Sequence, residues 1–174
     1  MVYYTDHAIT IRTIEDSDAK IICREEIVQG WNATEEKYLT RIADHAAGRC
    51  ISLVAEYHHE VAGYINVYID AKLGALAGKG YCGIVDFGVL QKFRNRGIGG
   101  KLMDAAEKIA AGYADTVYLA VGLYGGYGSA QRMYFKRGYI PDGSGVWYKD
   151  KPAKAGENYP LDDDLLLYMS KKLK

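Results

Sequence analysis

The sequence predicts an α/β (α+β) fold, one domain over residues 1–174 with a mixed central sheet of about six to seven strands flanked by about four helices. Three observations carry this. Stretches with strand periodicity and stretches with helical periodicity follow one another in the order β-αα-βββ-α-β-α-β-β. Near the middle, a glycine-rich turn joins an apolar, β-branched run to an amphipathic stretch. With 174 residues, 49% of them apolar, the chain can also bury one sizeable core.

Taken in order, Ala8 to Thr13 alternates and reads as the first strand. Glu15-Asp16-Ser17-Asp18 supplies N-cap candidates for a helix running to about Gln29, and Gly30-Trp31-Asn32 breaks it. Asn32 followed by Glu35 resembles a capping box for a second helix, Thr34 to Ala47, with Tyr38, Leu39, Ile42 and Ala46 on one face and Gly48 as its stop. Ile51 to Glu56 and Val61 to Ile69 look like antiparallel strands joined by a turn at Tyr57-His58-His59-Glu60. The two histidines there read as a solvated turn, with no third ligand near in sequence to suggest a metal site.

Ala71 to Gly80, rich in Gly and Ala, reads as a loop, and the central strand follows with Ile84, Val85, Phe87, Val89 and Leu90. Beyond Gly97, a helix places Ile98, Leu102, Ala106 and Ile109 on one stripe, with Lys101, Asp104 and Lys108 outside it. Thr116 to Val121 is a buried strand, and Ser129 to Arg137 a helix stopped by Gly138. Strand material recurs at Tyr139-Ile140 and at Val146-Trp147-Tyr148. Lys149 to Pro160 reads as a polar loop, and Leu165 to Ser170 as the last strand.

The turn at the centre of the chain has the chemistry of an anion site. Gly97, Gly99 and Gly100 lack a Cβ, so the backbone can approach a ligand closely, and the helix that opens there aims unpaired N–H groups and its positive dipole end at it. The dinucleotide fingerprint fails, because Leu102 stands where its third glycine belongs. A P-loop fails too, because Leu102 rather than Ser or Thr follows Lys101.

Lys plus Arg and Asp plus Glu number 22 each, so the formal net charge is zero and nothing drives the chain generally toward nucleic acid or an anionic membrane. The basic residues instead cluster locally, at Lys92 to Lys101 and at Arg132 to Arg137. Cys23, Cys50 and Cys82 are odd in number and without metal-ligand spacing, which fits buried, reduced thiols in a cytoplasmic protein. No apolar run approaches the ~18 residues that a membrane span needs, and the N-terminus has no apolar signal core, so a soluble protein is expected.

Arg94-x-x-Gly97-x-Gly99, with a strand before it and an apolar-faced helix after it, resembles the acetyl-CoA pyrophosphate loop of the GNAT (GCN5-related N-acetyltransferase) superfamily. About thirty residues on, Ala130-x-x-x-Tyr134-x-x-x-Gly138-Tyr139 resembles the later motif of that superfamily. Tyr127 stands where its Asn usually is, and the order of elements also matches. The resemblance implies acetyl-CoA as co-substrate, no metal, and a cofactor site made by Phe87, Gly88, Val89, Arg94, Asn95, Arg96, Gly97, Ile98, Gly99 and Gly100. The Val89 N–H would polarise the thioester carbonyl as an oxyanion donor does.

It also implies direct attack by an amine, whose proton must be removed because a free alkylamine has a pKa near ~10.4. Asp86, the acid of the central strand, is the candidate base, directly or through water. Tyr134 is the candidate acid for the leaving thiolate. Asp86 could instead pair with a cation at a strand end, and Tyr134 could simply pack its helix. For the acceptor, the resemblance points to Trp31, Tyr124, Tyr127 and Trp147, with Gln29, Asn32 and Asp162-Asp163-Asp164 nearby in sequence. The expected reaction is acetyl transfer to a primary amine of a small molecule. A protein or peptide acceptor is the alternative, followed by an acyl-CoA-binding module without chemistry. The oligomeric state is left open, a homodimer included.

Overall fold

The computed structural model describes residues 1–72 and 74–174. Residue 73, within the expected glycine- and alanine-rich loop, lies outside the described residues. Among the described residues the sheet is mixed and has nine strands rather than six to seven, with four α-helices. By contacts the chain divides into two compact units, Met1–Tyr68 with Val85–Ile109, and Ile69–Ile84 with Ala110–Lys174.

The first unit holds β1 (Val2–Thr5), β2 (Ile9–Thr13), α1 (Asp16–Val28), α2 (Glu35–Ala46), β3 (Cys50–Tyr57), β4 (Glu60–Tyr68), most of β5 (Cys82–Val89) and nearly all of α3 (Ile98–Ala110). Its strands neighbour one another in chain order, β1 to β5, and β1 through β4 pair antiparallel. β1 is an addition to the strands expected from sequence. Glu15 caps α1 through a capping box with Asp18. The start of α2 differs from the expectation: Thr34 is its N-cap, without a side-chain cap bond, and Asn32 lies ahead of the helix. His58 and His59 both take the left-handed conformation, φ 48° and 67°, that a tight hairpin between β3 and β4 demands.

Both helices bury their apolar faces on this part of the sheet. Ile14, Ala19, Ile22, Cys23, Tyr38, Val54, Val61 and Tyr64 form one cluster, with Ile42 packed against it. Leu39, expected on that face, is 44% exposed. It follows Tyr38 by one residue, about 100° round the helix, which puts it on the water side with the exposed Glu35 and Glu36; Ala46, expected on the same face, is exposed as well. α3 buries Ile98, Leu102, Met103 and Ala106.

The second unit holds the first residues of β5, then β6 (Thr116–Gly122), α4 (Gly128–Lys136), β7 (Ile140–Tyr148), β8 (Lys151–Pro152) and β9 (Leu165–Lys172). Strands run in the order β5-β6-β9-β7-β8, with β5 and β6 parallel at Cys82↔Val117 and Gly83↔Tyr118, and the other pairs antiparallel. The strand pieces expected at Tyr139-Ile140 and Val146 to Tyr148 belong to one strand, whose register shifts between Pro141 and Val146. The expected polar loop after Lys149 contains the two-residue β8. Val117, Leu119, Val121, Tyr134, Tyr139 and Met169 are buried in this unit. All three cysteines are free and buried, and burial raises the thiol pKa of Cys50 and of Cys82.

Candidate active site

Within the first unit, the chemistry gathers where β5 leaves regular geometry. Asp86 has φ 51°, in the left-handed region that aspartate enters more readily than most residues. The buried Asn66 side chain on β4 donates to the carbonyls of Val85 and Asp86, at 3.1 and 3.3 Å, and so satisfies backbone acceptors around the distortion.

The Asp86 carboxylate, 21% exposed, is turned toward α2. Arg41 brings Nε and Nη2 to the same oxygen, Oδ2, each at 2.7 Å. The other oxygen, Oδ1, has Lys37 Nζ at 3.5 Å. Arg41 also donates from Nη1 to the Tyr68 hydroxyl at 2.6 Å, and Tyr68 in turn donates to Asp44. That bond, then the Arg49 guanidinium, holds the Asp44 carboxyl below its usual range.

Behind this cluster sits a buried carboxylate, Glu26 on α1, that accepts hydrogen bonds from the hydroxyls of Tyr38 and Tyr64. Burial, then Glu26, pushes both phenols well above the ordinary tyrosine value. Lys37 Nζ lies over those two rings, 5.3 and 6.0 Å from their centroids. None of Glu26, Lys37, Tyr38, Arg41 and Tyr64 was singled out from sequence for a site. The one signal was Lys37 and Arg41, four residues apart on the edge of an apolar helix stripe, a pattern that ordinarily marks a solvated face.

The glycine turn has the form that the sequence led one to expect. Asn95 and Gly97 have φ 60° and 80°. The Lys101 N–H closes onto the Gly97 carbonyl at 3.1 Å, so the amides just before it have no acceptor within their own helix. A Cβ at Gly97 or at Gly100 would meet nothing within 4 Å, so this backbone is open to a ligand. Such a cradle fits a diphosphate. Ile98 is buried, so only its main chain can contribute.

The basic side chains of this stretch are arranged individually. Arg94 donates from Nε to the Val89 carbonyl at 3.3 Å and lies 5.5 Å from the centre of the Trp31 ring. Arg96 lies over Tyr57 at 4.9 Å and, with Gly97 and Lys101, lines a depression of about 340 Å³ that reaches the β1–β2 turn at Asp6 to Ile9. The Gln91 N–H donates to Gln29 Oε1 at 2.9 Å, which ties the end of α1 to the strand exit.

The remaining candidates belong to the second unit. Tyr134 on α4 is 5% exposed, its ring 5.8 Å from that of Tyr139, and burial raises its phenol well above the ordinary value. Tyr124 and Tyr127 both donate to Asp163 Oδ1, at 2.7 and 3.0 Å, and Tyr127 packs against Gly122, where a Cβ would lie 2.4 Å from its ring. Trp147 donates from Nε1 to Ser144 Oγ at 2.8 Å and stands 5.4 Å from the Tyr168 ring. Trp31 alone of the four acceptor candidates belongs to the first unit. No cluster of metal-ligating side chains occurs among the described residues, and none of their helices is long and apolar enough to cross a membrane.

Residues 17–139 match the sequence profile of the acetyltransferase (GNAT) family. No curated protein matches the chain. Among solved structures, the chain is similar to Ard1 of Thermoplasma volcanium, at 21% identity and a TM-score of 0.69, over 95% of this chain and 97% of that one. It is similar to yncA of Salmonella typhimurium, solved with its cofactor acetyl-CoA, at 17% identity and a TM-score of 0.68, over 97% of this chain and 95% of that one. It is also similar to the Salmonella typhimurium acetyl transferase that modifies the N-terminal serine of 50S ribosomal subunit protein L7/L12. That match has 11% identity and a TM-score of 0.73, over 99% of each chain.

Proposed function

We propose that this chain, which belongs to the acetyltransferase (GNAT) family and takes its acetyl group from acetyl-CoA, passes that group directly to a primary amine of a small-molecule acceptor. The observation that carries the reading is the run from Asp86 to Gly97, a kinked strand end bearing an anchored carboxylate, followed by an open glycine turn at a helix start. Residues 1–174 are proposed to work as one N-acetyltransferase domain.

In this reading the amides of residues 95–100 hold the diphosphate of the cofactor, helped by the positive end of α3. The backbone of Phe87, Gly88 and Val89 accompanies the pantetheine arm, and the Val89 N–H draws electron density from the thioester carbonyl. The amine nitrogen attacks the carbonyl carbon and the C–S bond breaks. The ammonium proton passes to Asp86 Oδ1, directly or through water, and the departing thiolate takes a proton from Tyr134. Two observations support the assignments. Arg41 fixes one Asp86 oxygen and leaves the other for the acceptor. Burial keeps the Tyr134 phenol protonated, as a donor must be.

A protein N-terminus is the second reading, favoured by the likeness to an enzyme described as modifying an N-terminal serine. Thiol release from acetyl-CoA, followed across small amines and peptides, tests both. Release with small amines supports the first reading, release confined to peptides supports the second, and none with either removes the transferase reading.

A further inference from the structure

The two cations of α2 that face Asp86 do unequal work. Arg41 is committed, with two nitrogens on Asp86 Oδ2 at 2.7 Å and the third on the Tyr68 hydroxyl at 2.6 Å. Lys37 is not. Its carboxylate partner among the described residues is Asp86 Oδ1 at 3.5 Å, well beyond the ~2.7–2.9 Å of a charge-assisted hydrogen bond. The tyrosines beneath it present ring faces, because the hydroxyls of both Tyr38 and Tyr64 are turned to Glu26.

Lys37 is also accessible. Its side chain is 35% exposed, and a surface depression of about 320 Å³, lined by Thr34, Glu36, Lys37, Thr40 and Arg41, opens beside it. It stands one aromatic ring from the proposed thioester position, since a Cβ at Gly88 would lie 3.0 Å from the Tyr64 ring. A loosely held ammonium, with three donors to place, therefore lies at the edge of the acceptor site and next to the carboxylate oxygen that Arg41 leaves uncovered.

We propose that Lys37 reads a carboxylate on the acceptor, which makes the substrate class amino-acid-like amines, with the ammonium on Asp86 Oδ1 and the carboxylate on Lys37 Nζ. The proposal rests on the acetyl-transfer reading of the same site. Electrostatics supports it. A zwitterion entering between Lys37 and Asp86 replaces one ion pair by two and leaves neither charge uncompensated, so the desolvation cost stays low. A polyamine would bring only positive charge toward Lys37 and Arg41, and a neutral-tailed amine would take Asp86 from Lys37 and give nothing back.

The test uses the full chain with saturating acetyl-CoA and pairs of free amino acids and their carboxamides, in wild type, Lys37→Met and Lys37→Arg. In the wild type the free acid should be preferred by at least about tenfold in kcat/KM, mostly through KM, as expected for a hydrogen bond to a charged group. The preference should collapse in Lys37→Met and survive in Lys37→Arg. Equal rates for acid and carboxamide, or an unchanged preference in Lys37→Met, overturn the proposal. So does turnover confined to peptides with acidic N-terminal residues, which would assign the site to protein. Calorimetry of the free amino acids against CoA-loaded protein separates the two readings. Lys37-dependent binding without turnover with any amine keeps the carboxylate site and removes the transferase reading, whereas no binding and no turnover removes both.

Discussion

Tyr64 stands against the position of Gly88, so close that a Cβ built there would stand 3.0 Å from ring carbon Cε1 and 3.1 Å from the hydroxyl oxygen. The ring cannot easily give way, because its hydroxyl is hydrogen-bonded to the buried Glu26 at 2.6 Å. Across the same pair of strands, a Cβ at Gly63 would lie 2.6 Å from the Gly88 carbonyl oxygen. Glycine at both positions is what allows β4 and β5 to approach here.

Gly88→Ala should therefore destabilise the protein by about 1–3 kcal/mol through overpacking and weaken CoA binding as well. Gly63→Ala, which meets backbone rather than a ring, should cost at least as much. Thermal denaturation with and without CoA measures both effects; melting temperatures equal to wild type for both variants would contradict the packing described.

Asp86→Asn should lower kcat by about 100-fold or more, the usual contribution of general acid–base catalysis, while CoA affinity stays within about twofold. Initial rates and calorimetry together decide it. A variant that lost CoA binding and kept kcat would make Asp86 a structural residue held by Arg41.

Tyr134→Phe should reduce kcat with little change in KM for acetyl-CoA. Because burial raises the Tyr134 phenol, wild-type kcat should not fall in the range around ~10 where a free tyrosine ionises. A fall there, absent from Tyr134→Phe, would indicate an ordinary, solvated phenol.

Stability should drop on the alkaline side. Tyr118 and Tyr168 are each pushed up to about 12, chiefly by burial. Tyr38, Tyr64 and Tyr134 are raised further by the same cause. A phenol raised in the folded state binds its proton more tightly there than in the unfolded chain. Its stabilisation is thus complete below the ordinary value of 10.0 and is lost as pH climbs through about 12. Denaturant titrations from neutral pH upward should show this decline, with a share of the phenolate absorbance, that of the buried tyrosines, appearing only together with unfolding. Ionisation of every tyrosine in the still-folded protein would contradict the burial.

Much of this was legible in the sequence, and the parts that were share a cause. The glycine turn, the helix after it, and the N-cap of α1 within Glu15 to Asp18 depend on residues within one or two turns of each other, so spacing alone reveals them. β7 shows the limit of local reading. The sequence offers two strand pieces, Tyr139-Ile140 and Val146 to Tyr148, and between them Gly143 and Gly145 have φ 87° and 81°, yet the strand resumes beyond its register shift because β9 pairs with both halves. The site around Asp86 was half visible. The acid itself stood out in an apolar strand, but Arg41, Lys37 and Glu26 reach it or its neighbours from helices 38 to 49 residues away in sequence. In a helix a lysine or glutamate signals solvent, and only the folded arrangement turns those three inward.

The most direct test of the central claim, that bare main-chain amides at residues 95–100 clasp the cofactor diphosphate, is calorimetry with CoA set beside pantetheine, which lacks that group. Saturable heat with CoA below millimolar ligand, and affinity for pantetheine weaker by about 100-fold or more, is the predicted result. No saturation with CoA at millimolar concentration, or equal affinity for the two ligands, would contradict it.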